Sequence, residues 1–152
     1  MNYALTRSRY LENAVSTAGP QQILTMLYDR LVIDLSRAES SQRSGNRAAA
    51  ADQLDHAQEI VSALASTLQV DTWDGGPALM DLYMFLLREL MGCSIEGDAD
   101  RTAKVRDLVI PLRDAWHQAA ASLAAQSTPL IPTQRPRAAF GEPAPGGELG
   151  VG

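Results

Sequence analysis

Residues 79–91 read LMDLYMFLLRELM, and ten of the thirteen side chains are apolar. Only Asp81, Arg88 and Glu89 break the run. At about 100° per residue, a helix built from this stretch is apolar around most of its circumference and must be covered on nearly every side. In a chain of 152 residues, that cover has to come from a small number of neighbouring helices, so the rest of the sequence is read for them.

Proline and glycine divide the chain. Gly19-Pro20 opens one helical stretch, with Pro20 suited to a first helical position where its missing N–H costs nothing. Leu24, Leu27, Tyr28, Leu31, Leu35 and Ala38 then recur three and four residues apart. Ser44-Gly45-Asn46 ends that helix, and Asn46 has the side chain to cap the next. Ala50, Leu54, Ala57, Val61, Leu64 and Leu68 form a second seam with the spacing of helices packed side by side. The loop QVDTWDGGP follows, with Pro77 placed to start the apolar helix and Trp73 expected to plug the bundle end. Gly97-Asp98 leads into a fourth helix, whose expected buried face is Val105, Leu108, Val109, Leu112, Trp116, Ala119 and Leu123. Pro111 inside it removes one backbone hydrogen bond and predicts a bend.

No β alternation is sustained. The expected fold is all-α: an antiparallel four-helix bundle with helices at 20–44, 46–69, 77–96 and 98–126, joined by short connections. Residues 1–127 form the predicted bundle unit, of which 1–18 are a flap segment in which Leu11, Ala14 and Val15 line one face. Residues 128–152 are rich in proline and glycine without apolar period and read as a disordered tail.

Composition narrows the function. The net charge of −5 offers no basic face for nucleic acid or an anionic membrane surface. No stretch reaches the ~18 apolar residues of a membrane span, and MNYALTRSRYLENAV lacks the apolar core of a signal peptide. Cys93 is the single cysteine, so a disulfide within the chain is excluded and a reducing compartment is expected. Together these predict a cytoplasmic protein without membrane insertion.

The chemistry-bearing residues are sparse. His56 and His117 are the two histidines. HAQE, from His56 to Glu59, reverses the Glu-x-x-His order of di-iron bundles and has no second copy. His56 lies away from the Leu54–Val61 seam and is expected in solvent, where it would suit a histidine phosphotransfer domain, but no lysine follows it in HAQEIVSALAS. Cys93 sits towards a helix C-terminus, which disfavours a thiolate. WDGGP lacks the Lys-Ser/Thr of a phosphate loop. The reading is no enzyme, no cofactor and no metal.

What remains is surplus apolar surface. With Leu79, Leu82, Tyr83, Leu86 and Leu90 as the inner stripe, Met80, Met84, Leu87 and Met91 form a second one, and Phe85 falls in the polar sector between Asp81 and Glu89. The first helix likewise carries Ile23, Met26 and Ile33 beside its seam. Methionine-rich surfaces adapt to varied partners.

The order of motifs gives that surplus a context. Tyr10 followed by Val15-Ser-Thr-Ala-Gly-Pro20, then LTMLYDRL (24–31), LYMFLLREL (82–90) and LRDAW (112–116), closely resembles the flagellar secretion chaperone family FliS from about Tyr10 to Ala120. The chain departs from the family pattern at Gly19, where serine is frequent, at Arg30, where glycine is, and at Pro111. The resemblance implies a cytoplasmic chaperone that binds the disordered C-terminal segment of flagellin, prevents its premature polymerisation and aids delivery to the flagellar export gate. It also implies that the segment around Tyr10 can lie in a groove and leave when cargo binds. The candidate partner-binding residues are Tyr10, Val15, Ile23, Met26, Leu27, Met80, Met84, Phe85 and Leu87. The alternatives are the histidine phosphotransfer domain on His56 and a helical structural or oligomerisation module.

Overall fold

The structure, a computed structural model, describes residues 19–127. Within them the chain forms α1 (Pro20–Arg43), α2 (Arg47–Thr67), a 3₁₀ turn (Val70–Thr72), α3 (Gly76–Glu96) and α4 (Ala99–Ser127). The expected flap (1–18), which contains Tyr10 and Val15, and the expected tail (128–152) lie outside the described residues.

The punctuation acts as its chemistry requires. Pro20 is the first residue of α1, and the Asn46 side chain accepts the Ala49 N–H at 3.1 Å to start α2. Gly97 ends α3 in the left-handed conformation, φ 65°, which carries no steric penalty without a Cβ.

The helices form a closed antiparallel bundle in which α1 packs on both α2 and α4, α2 on α3, and the α3–α4 seam is the thinnest. Leu31, Leu35, Leu54, Leu64, Leu86, Leu90, Val105 and Val109 fill its interior. Across the diagonal, the Tyr28 and Tyr83 hydroxyls meet at 2.7 Å, one donating to the other, and the Trp116 ring tilts against Tyr28 at 6.3 Å between centroids. Burial pushes both phenols above the ordinary tyrosine range, because an apolar surround disfavours the phenolate.

The end holding the α1–α2 and α3–α4 turns is tied by polar groups. Gln42 accepts from the fully buried Thr102 hydroxyl at 2.7 Å and donates to the Cys93 carbonyl at 3.2 Å, joining α1, α3 and α4. Arg101 donates to Glu89 at 3.0 and 3.1 Å and pairs with Glu96 at 2.8 Å. Glu39 takes Arg43 and Arg106, and Arg43 also reaches Asp100.

Three expectations need correction. His56 is only half in solvent: its Nδ1 bonds the carboxylate of Asp34, an acidic residue that is itself buried on α1 and also accepts from Arg30 at 3.1 Å. Helical periodicity cannot show that α1 sets a carboxylate opposite that histidine. On α4, Leu108, Ala119 and Leu123 are exposed and the buried residues stop at Val109, with Leu112 and Trp116 half-buried. For Ala119 and Leu123 the cause is length, since α4 has 29 residues against 21 in α3 and runs past it. Leu108 lies alongside α3 but is turned off the buried face of Val105 and Val109. Trp73 does not plug the bundle end; it is 48 % exposed, with its ring over Gly75 where a Cβ would have no room.

Two tests follow from this core. Leu35→Ala, at a fully buried position, should lower stability by about 2–5 kcal/mol in urea denaturation. In an absorbance titration, Tyr28 and Tyr83 should stay un-ionised in the folded chain beyond the ordinary tyrosine midpoint of about 10. A raised folded pKa contributes stability that is whole below the unfolded value and is lost as pH climbs through the folded one, so the melting temperature should fall above about pH 10.

Candidate client-binding surfaces

The bundle end opposite the polar ties is apolar and open. There the first turns of α1, the last turn of α2, the 3₁₀ turn, the start of α3 and Trp116 of α4 surround a cavity of about 400 Å³. Ile23, Leu24, Leu27, Leu68, Leu79 and Trp73 supply its walls. Tyr83 lies on the lining and ties it to the diagonal tyrosine contact. Gly76 lets α3 begin directly beside the Val70 carbonyl, which a Cβ would overlap, and so keeps the loop tight against this mouth.

Helix α3 carries two further apolar surfaces, on opposite flanks. Glu89 and Glu96 bind Arg101, which marks the flank facing α4. Phe85 lies one turn before Glu89 on that flank, 38 % exposed, and Leu108 of α4 lies along the same seam. Met80, Met84, Leu87 and Met91 sit about 110° from the buried stripe in the other sense, towards α2. Met84 is 39 % and Met91 52 % exposed, while Met80 and Leu87 are half-buried.

The candidate residues therefore separate into groups. Ile23 and Leu27 are brought together in the end cavity; Met26, half-buried on α1, is not part of its lining. Met80, Met84 and Leu87 share the α2 flank of α3, and Phe85 stands apart from them. Sequence reasoning missed Trp73, Leu68 and Thr72 as cavity residues. The loop QVDTWDGGP holds a tryptophan between helix ends, and that was their available signal. Among the described residues, no grouping of three or more His, Cys, Asp or Glu could hold a metal, and no helix is long and apolar enough to cross a membrane.

Cysteine 93 is fully buried, and burial raises its thiol pKa above the ordinary value. The His117 ring meets Asp29 at 2.7 Å and links α4 to α1 on the outer surface.

The comparisons with known proteins agree with this architecture. A family model described as "Flagellar protein FliS" matches residues 1–123. Relatives named flagellar secretion chaperone FliS include one from Salmonella typhimurium, 30 % identical over 112 residues, covering 71 % of this chain and 82 % of that protein. Another, from Bacillus subtilis, is 28 % identical over 110 residues, covering 72 % of this chain and 82 % of its own. The Escherichia coli relative is 28 % identical over 110 residues, covering 71 % and 81 %. A solved structure described as a flagellar chaperone from bacteria superposes with a TM-score of 0.63 at 18 % identity, covering 78 % of this chain and 98 % of that one, and so shares the fold. With an open, apolar bundle end and a family match through nearly all its helices, the chain belongs to the flagellar protein FliS family.

Proposed function

We propose that this chain is a cytoplasmic flagellar export chaperone that binds the disordered C-terminal segment of flagellin, keeps it from polymerising early and aids its delivery to the export gate. The observation that carries the reading is the open apolar end of the bundle, in a chain of this family. A cavity of about 400 Å³ walled by aliphatic and indole side chains accepts apolar anchors of a peptide that folds as it binds. Ordering such a segment offsets part of the contact energy, which suits a client that must later be released.

In this reading Ile23 and Leu27 take anchors in the cavity, while Met26, Met80, Met84, Phe85 and Leu87 contact the client where it wraps the outside. Residues 1–18, with Tyr10 and Val15, are a flap over apolar surface that gives way to cargo, and residues 128–152 are a tail outside the binding unit.

The test is calorimetry of the full chain against a flagellin C-terminal peptide, beside a thermal melt of the free protein. Ile23→Asp should weaken binding by about tenfold or more, since a carboxylate in an apolar pocket is expensive to desolvate, with the melt nearly unchanged. Phe85→Ser should weaken it less. Absence of binding by the unaltered chain would remove flagellin as the client.

A further inference from the structure

We infer that the Tyr83 hydroxyl is a hydrogen-bond donor at the floor of the apolar cavity and selects a client anchor with a side-chain amide, asparagine or glutamine. This rests on the reading of the cavity as a client site and adds the polar chemistry that one anchor must present.

The donor follows from counting protons. The Tyr28 and Tyr83 hydroxyls meet at 2.7 Å, and either can donate to the other. The Trp116 indole N–H, which can only donate, also bonds the Tyr28 oxygen. Three hydrogens therefore share two oxygens, and the phenols cannot both donate to each other. One phenol proton is left over, and among the described residues no further acceptor meets either hydroxyl. If Tyr83 donates, the surplus proton belongs to Tyr28, which is fully buried and does not line the cavity. A buried donor without a partner is strongly unfavourable. If Tyr28 donates, the surplus belongs to Tyr83, on the cavity lining, where water or a ligand can accept it. The second arrangement wins. It makes a directed chain from Trp116 through Tyr28 to Tyr83, in which each donation strengthens the next.

The rest of the lining says what the acceptor is. No charged side chain lines the cavity among the described residues, so a carboxylate there would be desolvated without a counter-charge. Thr67 and Thr72 line it from exposed positions at the mouth. Thr67 donates its hydroxyl proton to the Ala63 carbonyl at 3.0 Å, and Thr72 donates its own to the Gln69 carbonyl at 2.8 Å. Both threonines therefore offer the cavity lone pairs, not protons, and the Gln69 amide beside them can turn either way. A donor on the floor and acceptors at the mouth match an amide with its oxygen inward and its N–H groups outward. An aliphatic anchor satisfies neither end.

Two small probes isolate the donor. Cyclohexanone and methylenecyclohexane have nearly one shape and differ in an acceptor oxygen. Bound to the unaltered full chain, cyclohexanone should show its carbonyl stretch at lower frequency than in a hydrocarbon solvent, and Tyr83→Phe should abolish that shift. Tyr83→Phe should also weaken cyclohexanone relative to methylenecyclohexane by about three- to tenfold, the worth of one neutral hydrogen bond. Tyr28→Phe should leave a smaller carbonyl shift, since Tyr83 keeps its proton and loses the donor that polarises it. A melt accompanies each variant, and where one fails to fold the shift in the unaltered chain decides. An unshifted carbonyl, or an affinity ratio that Tyr83→Phe leaves alone, would overturn the donor.

A flagellin C-terminal peptide tests the amide. With each of its asparagines and glutamines changed to leucine in turn, one change should cost about three- to tenfold in affinity for the unaltered chain and almost nothing for Tyr83→Phe. A shifted ketone without that coupling, or coupling to a serine or threonine of the peptide instead, would overturn the amide. The same peptide separates this inference from the function. If it binds while the ketone is unshifted, the donor fails and the chaperone reading stands. If it does not bind while the ketone is shifted, the chaperone reading fails and the donor stands.

Discussion

Everything in this bundle follows from the excess apolar surface of α3. Two neighbours and a diagonal partner cover only part of its circumference, because helices packed side by side each remove one stripe from water. Leu79, Tyr83, Leu86 and Leu90 go to the interior, and the tyrosine contact with α1 holds that face in register. What is left emerges on two flanks and at the open end. The architecture is stable because the inner stripe is complete, and it is adhesive because the outer ones are not.

Polar groups are distributed to match. Gln42, Thr102, Arg101, Glu89, Glu39 and Arg106 concentrate at the end that carries the two tight turns. There they satisfy backbone and side-chain groups across three helices, so that end is fastened geometrically and not only by burial. The opposite end has almost none of this. Its lining is aliphatic and aromatic, and its polar members are mainly Thr67 at the end of α2 with Gln69 and Thr72 just after it. One end is built for specificity of fold and the other for contact.

Much of this was legible beforehand because glycine and proline act locally. Pro20, Gly45, Asn46 and Gly97 impose starts and stops through their own backbone chemistry, and the helices begin and end within a residue or two of where those residues place them. The inner stripe of α3 was equally legible, since burial and period coincide. Asp34 was not: Arg30 stands one turn before it on α1, but the His56 that meets its carboxylate comes from α2, and the sequence of α1 alone does not show that pairing. The exposure of Leu123 depends on how far α4 outruns its neighbours, and that of Leu108 on which way α4 is turned against α3. The separation of Phe85 from the methionines needed one ion pair, Arg101 with Glu89, to say on which side α4 lies.

Pro111 has a consequence for cooperativity. It sits exposed inside α4, where the Asp107 carbonyl loses its helical donor. Below it, residues 99–110 are clamped to α1 and α3 through Arg101, Thr102 and Arg106. Above it, the last turns bear on α1 through His117 and Trp116 and then run into solvent. The helix is thus two segments of unequal tenacity sharing one axis, and the outer segment can fray and re-form while the inner one keeps its bonds. That outer segment begins at the wall of the apolar cavity, so the mouth of the bundle is bordered by the part of α4 with the fewer side-chain ties to its neighbours.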